Sequence, residues 1–173
     1  MDKVIRDYFS QNNILIEHQI ESYNDFVDNI IPNLLNQYFP MILNIKSKVY
    51  SIKIELVKFH IEKPYYTENN GVQYKMTPHI ARLRNYTYSL SLFIDISLEV
   101  CVLDENDTKI KTPMQNINNI LIGKIPLIVR SKYCTLNEDL NNECKYDPGG
   151  YAIINGNEKV LIVQEKMITN MIQ

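Results

Sequence analysis

A long run of alternating apolar and polar side chains constrains this chain more than any other feature of its sequence. Nine apolar residues occupy every second position from Tyr86 to Val102, and the positions between them include Ser, Thr, Asp and Glu. Because successive side chains of a β-strand point to opposite faces of a sheet, this pattern predicts a long antiparallel strand with one buried face. We expect a strand of this length to be bent or bulged part way along.

A second alternating pattern, over residues 50–62, changes its phase in the middle. Apolar side chains fall on even positions up to Leu56 and on odd positions from Val57. Because the side-chain period of a strand is two, a slip of one residue indicates a β-bulge at this point.

The C-terminal third of the chain carries the signal of a β-hairpin. Asn155-Gly156 stands between apolar runs at 151–154 and 159–163, and an Asn-Gly pair in this setting is typical of a two-residue hairpin turn. Two short apolar runs lie between residues 120 and 129. We interpret residues 111–119, with one proline and three asparagines, as a loop.

The N-terminal part follows the 3.6-residue period of amphipathic helices. Apolar stripes predict a short helix over residues 4–9 and a longer one over residues 20–35. Pro32 should end or kink the second helix, or restart it as a new first turn. Thr77-Pro78 predicts the N-cap and first position of a short helix that reaches Leu83. The predicted fold class is α+β, with N-terminal helices followed by a mainly antiparallel sheet.

Composition and charge narrow the class of protein. The hydrophobic share of 45% and the charged share of 22% are typical of a globular domain and argue against intrinsic disorder. The net charge of -2 lacks the basic excess of a free-standing nucleic-acid-binding domain, so contact with nucleic acid must be local or shared with other chains. No apolar stretch approaches the roughly 20 residues that span a bilayer, and the N-terminus lacks a signal peptide's apolar core. We expect a single domain that is neither secreted nor inserted in a membrane.

The residues that most often carry chemistry form no recognised motif. Three cysteines at irregular spacing favour buried or half-buried free thiols in a reducing compartment over disulfides or a zinc site. Gly149-Gly150 and Gly156 are interpreted as turn glycines with positive φ and not as a phosphate loop. Asp95, within the long strand, is expected to face solvent or to accept a hydrogen bond. An enzyme whose catalytic set assembles only in space stays open.

Two pairs of basic residues remain as candidates for phosphate contact. The first pair is Arg82 with Arg84, and the second is Arg130 with Lys132. Pairs of this kind usually stay solvated or form salt bridges, and that is the alternative for all four residues.

Several segments resemble, in the same order, the second-largest subunit of multisubunit DNA-directed RNA polymerase. The most specific block covers residues 120–165 and contains Gly-Lys-Ile-Pro, Arg-Ser-Lys, Glu-Cys and the run Asp-Pro-Gly-Gly-Tyr-Ala-Ile-Ile-Asn-Gly. Residues 78–88 are similar to the family's pattern Pro-x-x-Ala-Arg-Leu-Arg-Asn-x-Thr-Tyr, and residues 18–26 to its early helix. Ala152 departs from the family, which usually has an aromatic residue there. The Asp-Pro-Gly-Gly version with paired cysteines resembles the eukaryotic, archaeal and large-DNA-virus branch.

The resemblance implies both a place in the polymerase and an activity. Residues 1–173 correspond to the first half of the protrusion domain, an incomplete domain beside the cleft that holds upstream DNA and the RNA–DNA hybrid. The implied function is structural, within an enzyme that transfers nucleotides in DNA-templated transcription. No catalytic residue, metal ligand or cofactor is implied for this region, because the family's catalytic, magnesium and zinc sites lie elsewhere. The implied partners are the rest of the second-largest subunit, the other polymerase subunits, the DNA template and the nascent RNA, with no membrane.

The resemblance also implies which side chains lie near nucleic acid. In bacterial relatives the hairpin that matches residues 151–164 lies beside the nascent RNA, so Lys159 and Gln164 are candidates to face the RNA–DNA hybrid. A lysine in this position acts as a point charge toward phosphate and carries no sequence information. The other nucleic-acid-proximal candidates are Arg82, Arg84, Arg130 and Lys132. For Arg82 and Arg84 the alternative is binding to carboxylates inside the domain.

Two interpretations of the whole chain stay open. It is the N-terminal fragment of a longer or split polymerase subunit, or it is a stand-alone interaction module that binds polymerase or transcription factors without catalysis. The sequence has 25 Ile and 20 Asn against 2 Ala, which indicates an A+T-rich genome. Together with the branch of the family, this favours a large DNA virus over an A+T-rich protist. The expected location is the nucleus, or the host cytoplasm or virion for a virus.

Overall fold

The computed structural model describes residues 2–10, 14–45, 50–103, 109–111, 113–137, 143–144, 146–162 and 164–166. Helices α1 (Asp2–Phe9), α2 (Glu17–Asp25) and α3 (Ile31–Tyr38) come first, and α4 (Pro78–Leu83) lies between strands. The strands are β1 (Met41–Ile45), β2 (Tyr50–Glu62), β3 (Tyr65–Thr67), β4 (Gln73–Lys75), β5 (Ser89–Leu103), β6 (Lys109–Lys111), β7 (Gln115–Pro126), β8 (Ala152–Ile154) and β9 (Asn157–Lys159). This order confirms the predicted α+β class. None of the described helices is both long and apolar enough to cross a membrane.

The predicted long helix is divided by a π-helical turn. This turn, Phe26–Ile30, joins α2 to α3, and Pro32 stands in the first turn of α3. The Ile31 N–H donates to the Phe26 carbonyl, so the hydrogen-bond pattern changes directly before proline, which has no N–H to donate. Of the three alternatives for Pro32, the restart is confirmed. The N-cap of α4 is also confirmed, since the Thr77 hydroxyl accepts a hydrogen bond from the Ile80 N–H at 3.4 Å.

In the described part of the chain, β5 is the centre of a five-stranded antiparallel sheet. Strand β2 pairs along one edge of β5, strands β6 and β7 pair along the other, and β1 pairs with β2. The register between β2 and β5 shifts between Leu56 and Lys58, which confirms the predicted bulge and leaves Val57 without a partner on β5. The pairing of β5 with β7 is also interrupted twice. At one interruption Asp95 accepts a hydrogen bond from the Asn119 N–H at 2.8 Å, as expected of an acceptor.

Some strand predictions are wrong, and they fail for one reason. The predicted loop over residues 111–119 is wrong for most of its described residues, because β6 ends at Lys111 and β7 runs from Gln115 through Gly123 to Pro126; Pro113 and Met114 lie outside both strands. Strand β1 was not predicted, since five residues show too little alternation. Strand β9 begins two residues earlier than expected and ends at Lys159. These strands form by pairing with β2, β5 or β8, and backbone pairing leaves little trace in their own side chains.

The turn glycines behave as predicted. Asn155 and Gly156 have φ values of 50° and 76°, the pattern of the type I′ hairpin turn that Asn-Gly favours. Gly149 has φ +79°, and a Cβ there would lie 2.6 Å from the carbonyl oxygen of Val129. The cysteines are free thiols, but only Cys134 is buried. The expectation of buried or half-buried thiols is wrong for Cys144, which is exposed.

The core lies where the start of β5 meets the segment after β7, helix α4 and the β8–β9 hairpin. Tyr88, Leu90, Leu127 and Ile153 are among the residues with no exposed surface there. The Tyr88 hydroxyl accepts a hydrogen bond from the Thr135 N–H at 2.9 Å and lies 3.0 Å from the Thr135 hydroxyl. Burial raises the pKa of Tyr88, so the phenol stays neutral within this core.

Candidate functional site

Arg82, on α4, is surrounded by carboxyl and phenol groups from two other segments. Its Nε donates to Glu158 Oε1 at 2.7 Å, and its Nη1 donates to both carboxylate oxygens of Glu143 at 2.9 and 3.1 Å. Its Nη2 donates to the Tyr151 hydroxyl, and Asp147 Oδ2 lies 4.0 Å from the same nitrogen. We name these five residues the Arg82 cluster.

Burial and the neighbouring acidic groups shift the pKa of Arg82 in opposite directions. The Arg82 side chain is 24% exposed, and the Glu143 side chain is 6% exposed. Burial lowers the pKa of Arg82, but the hydrogen bonds with Glu158 and Glu143 and the proximity of Tyr151 raise it, and the net shift is upward. Burial also raises the pKa of Tyr151, and the hydrogen bond that its hydroxyl donates to Asp147 raises it further. The guanidinium stays charged, and each of its three nitrogens donates a hydrogen bond, to Glu158, Glu143 or Tyr151.

The Arg82 cluster connects three parts of the chain. Arg82 belongs to α4, Glu143 and Asp147 precede the Gly149-Gly150 turn, and Glu158 lies on β9. The donors of Arg82 are directed at groups inside the domain, which matches the alternative that this residue binds carboxylates. Contact between Arg82 and phosphate stays a prediction.

Backbone hydrogen bonds dock the β8–β9 hairpin against the segment that follows α4. The Tyr88 N–H donates to the Ile153 carbonyl at 2.9 Å, and the Gly156 N–H donates to the Tyr86 carbonyl at 3.1 Å. The approach is close, because a Cβ on Gly156 would lie 2.5 Å from Asn85 Oδ1. The hairpin is therefore held by its backbone on one strand and by the Arg82–Glu158 pair on the other.

Lys159 lies at the end of β9 that pairs with Ala152, away from the hairpin turn, and Gln164 follows it along the chain. Lys159 is the last residue of β9, directly after Glu158, and its side chain is exposed. In the described part of the chain, Lys159 forms no ion pair. Gln164 is exposed in a segment without regular structure. The preceding residues pass α2, where Gln19 Nε2 donates to the Leu161 carbonyl at 2.9 Å.

Arg84 and Lys132 each have a carboxylate partner on a different side of the domain. Arg84 Nη2 lies 3.2 Å from Glu68 Oε1, and both side chains are largely exposed. Lys132 Nζ lies 2.7 Å from Asp28 Oδ2. Hydrogen bonds from Lys132 and from the Tyr133 hydroxyl lower the pKa of Asp28. Burial, together with its hydrogen bond to Asp28, raises the pKa of Tyr133 to about 12.

Arg130 has a different environment from the other candidates. Its backbone has φ +67°, and its Nη2 donates to the Cys144 carbonyl at 3.3 Å. Its Nε is buried and has no hydrogen-bond partner among the residues that the structure describes. Arg82 and Lys159 are both linked to the β8–β9 hairpin: Arg82 pairs with Glu158, and Lys159 is the next residue of β9. Arg84, Arg130 and Lys132 have other partners.

The acidic residues around Arg82 were not found by sequence reasoning. Glu143, Asp147, Tyr151 and Glu158 lie between 61 and 76 residues from Arg82 along the chain. A periodic pattern predicts contacts within one element, and these contacts join elements that are distant in sequence. The only available signal was the excess of acidic side chains next to a hairpin that the chain must dock. Among the described residues, no group of three His, Cys, Asp or Glu side chains is arranged to hold a metal ion.

Together these features define an α+β domain that presents a β-hairpin with an exposed lysine, held by an arginine–carboxylate cluster. A sequence profile described as RNA polymerase beta subunit matches residues 14–173. This chain belongs to that family. The matched region corresponds to the N-terminal region of the second-largest polymerase subunit.

Relatives from eukaryotes and archaea agree with this assignment. The chain is 36% identical to DNA-directed RNA polymerase II subunit 2 of Arabidopsis thaliana, over 96% of this chain and 15% of the relative. It is 34% identical to DNA-directed RNA polymerase II subunit RPB2 of Meyerozyma guilliermondii, over 98% of this chain and 16% of the relative. It is also 34% identical to DNA-directed RNA polymerase subunit Rpo2N of Methanococcus vannielii, over 98% of this chain and 34% of the relative. The chain thus spans a minor part of the length of each relative.

Proposed function

We propose that this chain works as the N-terminal part of the second-largest subunit of a DNA-directed RNA polymerase and takes part in DNA-templated transcription. The observation that carries the proposal is the family match over residues 14–173. Relatives that match nearly the whole chain are polymerase subunits by name. Nucleotide transfer belongs to the assembled enzyme, and residues 1–173 alone are inactive in this proposal.

Residues 1–173 form the first half of the protrusion domain in this proposal, and a later part of the same subunit completes it. Exposed apolar side chains on β7 support this view, since Leu121 is 47% exposed and Ile122 is 48% exposed. Apolar side chains on adjacent positions of an edge strand favour burial against another surface. Most of the length of each relative lies outside the match, and in this proposal that part of the subunit covers Leu121 and Ile122.

The hairpin of β8 and β9 contacts nucleic acid through Lys159, with Gln164 beside the RNA–DNA hybrid. Three facts support this: Lys159 is exposed, it has no ion pair among the described residues, and its neighbour Glu158 is fixed by Arg82. A flexible ammonium group at the end of a fixed hairpin suits contact with phosphate in any sequence. Arg82 then acts indirectly, because it positions the hairpin while Lys159 carries the charge.

The partners follow from the same proposal. They are the other polymerase subunits, the remainder of the second-largest subunit, the DNA template and the nascent RNA. The proposed location is the nucleus, or the host cytoplasm or virion of a large DNA virus, where the polymerase that contains this chain would transcribe.

The contact at the hairpin is tested with a Lys159→Gln variant in the purified polymerase. We expect elongation complexes of the variant to release nascent RNA at lower salt, with the slope of log affinity against log salt reduced by about 0.7–0.9, as for one lost phosphate contact. Lys3→Gln, which removes an exposed lysine from α1, is the matched control and should leave the slope unchanged. Equal slopes for both variants would show that Lys159 does not contact a phosphate.

The incomplete domain is tested by hydroxyl-radical footprinting of the same polymerase. Leu121 and Ile122 should be oxidised several times more slowly in the polymerase than in the 173-residue chain. Leu127, which is buried within the domain, should be protected in both samples. Equal oxidation of Leu121 in the two samples would contradict the proposed cover.

A further inference from the structure

A second surface lies apart from the end of the hairpin and is rich in tyrosine. A pocket of about 350 Å³ lies between the β3–β4 hairpin and the start of β5. Tyr65, Tyr66 and Tyr86 supply three aromatic walls, Thr67 supplies a hydroxyl, and Lys124 stands at its edge. We name this the tyrosine pocket. Its volume is at the lower end of the range for ligand sites, about 300–1,000 Å³, so it suits one small planar group.

The aromatic rings of the tyrosine pocket form a connected set. The rings of Tyr66 and Tyr74 are stacked, with centroids 5.7 Å apart and an interplanar angle of 25°. The Tyr66 and Tyr86 rings have centroids 6.1 Å apart and a tilt of 34°. Tyr86 is nevertheless 38% exposed, so part of its ring is open to a ligand. Exposed aromatic rings are the usual platform for stacking of an unpaired base.

Positive charge surrounds these rings. The Lys124 ammonium lies 5.8 Å from the centroid of Tyr65, and the Arg84 guanidinium lies 5.1 Å from the centroid of Tyr66. Glu68 is the carboxylate on this side that pairs with Arg84, at 3.2 Å. Lys124 makes no ion pair within the described part of the chain and is exposed, so it can bind an anion.

From this juxtaposition we propose that the tyrosine pocket binds an unpaired base of single-stranded nucleic acid, with the adjoining phosphate at Lys124. Stacking on a tyrosine face needs a base released from its duplex. Two residues with hydroxyl groups, Thr67 and Ser89, line the same pocket. A proline-rich peptide also fits aromatic grooves, but Lys124, which forms no ion pair among the described residues, favours a ligand with negative charge.

The pocket and the hairpin are parts of one continuous structure. Tyr86 lines the pocket and its carbonyl accepts the Gly156 N–H, while the Thr87 hydroxyl and Asn155 Oδ1 are 3.1 Å apart. The pocket therefore adjoins the turn of the hairpin that carries Lys159. The contacts that define the pocket do not depend on membership of a polymerase. The inference can therefore be wrong while the proposed function is right, and the reverse also holds.

The test uses the tagged chain purified natively from its source cells, with all bound subunits. A ten-nucleotide oligodeoxyuridine that carries 5-iodouracil is bound and irradiated, and mass spectrometry locates the cross-linked residues. We expect cross-links at Tyr65, Tyr66 or Tyr86. Tyr86→Leu should reduce the yield at these positions at least fivefold, as loss of a stacking contact worth about 1–3 kcal/mol predicts.

Four matched variants separate binding from folding. Tyr86→Phe keeps the ring and should retain the cross-link, whereas Lys124→Gln, at an exposed position, should lower the salt slope by about 0.7. Tyr38→Leu removes an exposed tyrosine outside the pocket and should have no effect. Thr67→Val removes an exposed hydroxyl from the pocket lining and should reduce the yield less than Tyr86→Leu does.

Three outcomes would overturn the inference. The first is an unchanged yield at the pocket in Tyr86→Leu and Lys124→Gln. The second is the absence of any cross-link at the pocket while other subunits of the same sample are cross-linked. The third is saturable binding of a proline decapeptide that Tyr86→Leu abolishes, in a sample where the oligonucleotide does not cross-link to the pocket. If the sample lacks other polymerase subunits but cross-links at Tyr86, the proposed function fails and the inference stands.

Discussion

The two halves of strand β5 have the same alternating sequence and different surroundings. Near its start, Leu90, Leu92 and Ile94 are at most 9% exposed. Further along, Ile96 and Leu98 continue the alternation but are only half-buried. Alternation therefore decides which face of a strand is apolar, and a second layer decides whether that face is buried.

The second layer at the start of β5 comes from distant parts of the chain. Ala81 of α4, the segment around Leu127 and Val129, and Ile153 of β8 pack there with Tyr88. The outer strands of the sheet are more open. Among the described residues Ile42 is 61% exposed, so a protein surface that covers this end must come from outside the described residues. We name the two regions the closed end and the open end of the sheet.

A leucine pair should give the largest difference between a covered and an uncovered side chain, although Leu121 pairs with Phe93 in the first half of β5. Leu127 has no exposed surface, and Leu121 is 47% exposed on the preceding strand. Leu127→Ala should lower the free energy of unfolding by about 3 kcal/mol, because it leaves a cavity as well as losing burial. Leu121→Ala should lower it by less than about 1 kcal/mol. Urea unfolding of the 173-residue chain, followed by circular dichroism, measures both, and equal losses would contradict the distinction.

Two arginine substitutions should give the next largest difference in the free energy of unfolding. Arg82→Met leaves Glu143, 6% exposed, without its charged partner, and should cost about 2 kcal/mol, below the roughly 3–5 kcal/mol of a fully buried pair. Arg84→Met breaks an exposed pair with Glu68 and should cost far less than Arg82→Met, because solvent screens an exposed ion pair. The same unfolding experiment applies. If Arg84→Met costs as much as Arg82→Met, the Arg82 cluster does not hold the closed end together.

A single hydroxyl group should have a smaller effect at the closed end. Tyr88→Phe leaves the buried Thr135 N–H without its acceptor and should cost about 1–2 kcal/mol. Tyr38→Phe, at an exposed position, is the control and should cost almost nothing. Amide hydrogen exchange gives a local measurement, because exchange at Thr135 should accelerate in Tyr88→Phe. Unchanged exchange at this amide would mean that the hydrogen bond contributes no protection.

The smallest effect concerns pH and the Lys132–Asp28 pair. The pKa of Asp28 is lower in the folded chain than the usual unfolded value of about 3.9, so folding favours the ionised carboxylate. The stabilisation is present above that unfolded value and is lost as the pH falls through the folded pKa. Asp28→Asn should cost less than about 1 kcal/mol at pH 7, since the pair is partly exposed.

The control for this pH effect is Glu21→Gln, which removes an exposed carboxylate from α2. The difference in urea midpoint between the unmodified chain and Asp28→Asn should shrink as the pH falls from 6 to 3. A difference that stays constant over this interval would show that Asp28 does not contribute through its charge.

The elements that the sequence predicts are those whose signals are local. The bulge at Val57 follows from a phase slip within one strand, the cap at Thr77 from a side chain three residues from its partner, and the turn at Asn155 from two adjacent residues. Each of these signals lies within a few residues, where sterics and hydrogen bonding act directly.

The rest of the fold and site depends on contacts between distant segments. Strand β7 contains polar residues such as Gln115 and Asn116, yet it forms because the adjacent edge of β5 accepts its backbone. Arg82 looked like one of four equivalent basic candidates, and only the fold brings Glu143 to it across 61 residues. Local patterns carry no information on these pairings, so neither β7 nor the acidic half of the Arg82 cluster was predictable.

The most direct test of the central claim is quantitative mass spectrometry of the native complex. The chain is tagged at its N-terminus in its source cells, purified without denaturant, and the peptides of all copurifying proteins are quantified. We predict that peptides of residues 1–173 are present in equal amounts with peptides of the largest polymerase subunit and of the remainder of the second-largest subunit. Recovery of the chain without polymerase subunits would contradict the claim and favour a stand-alone interaction module.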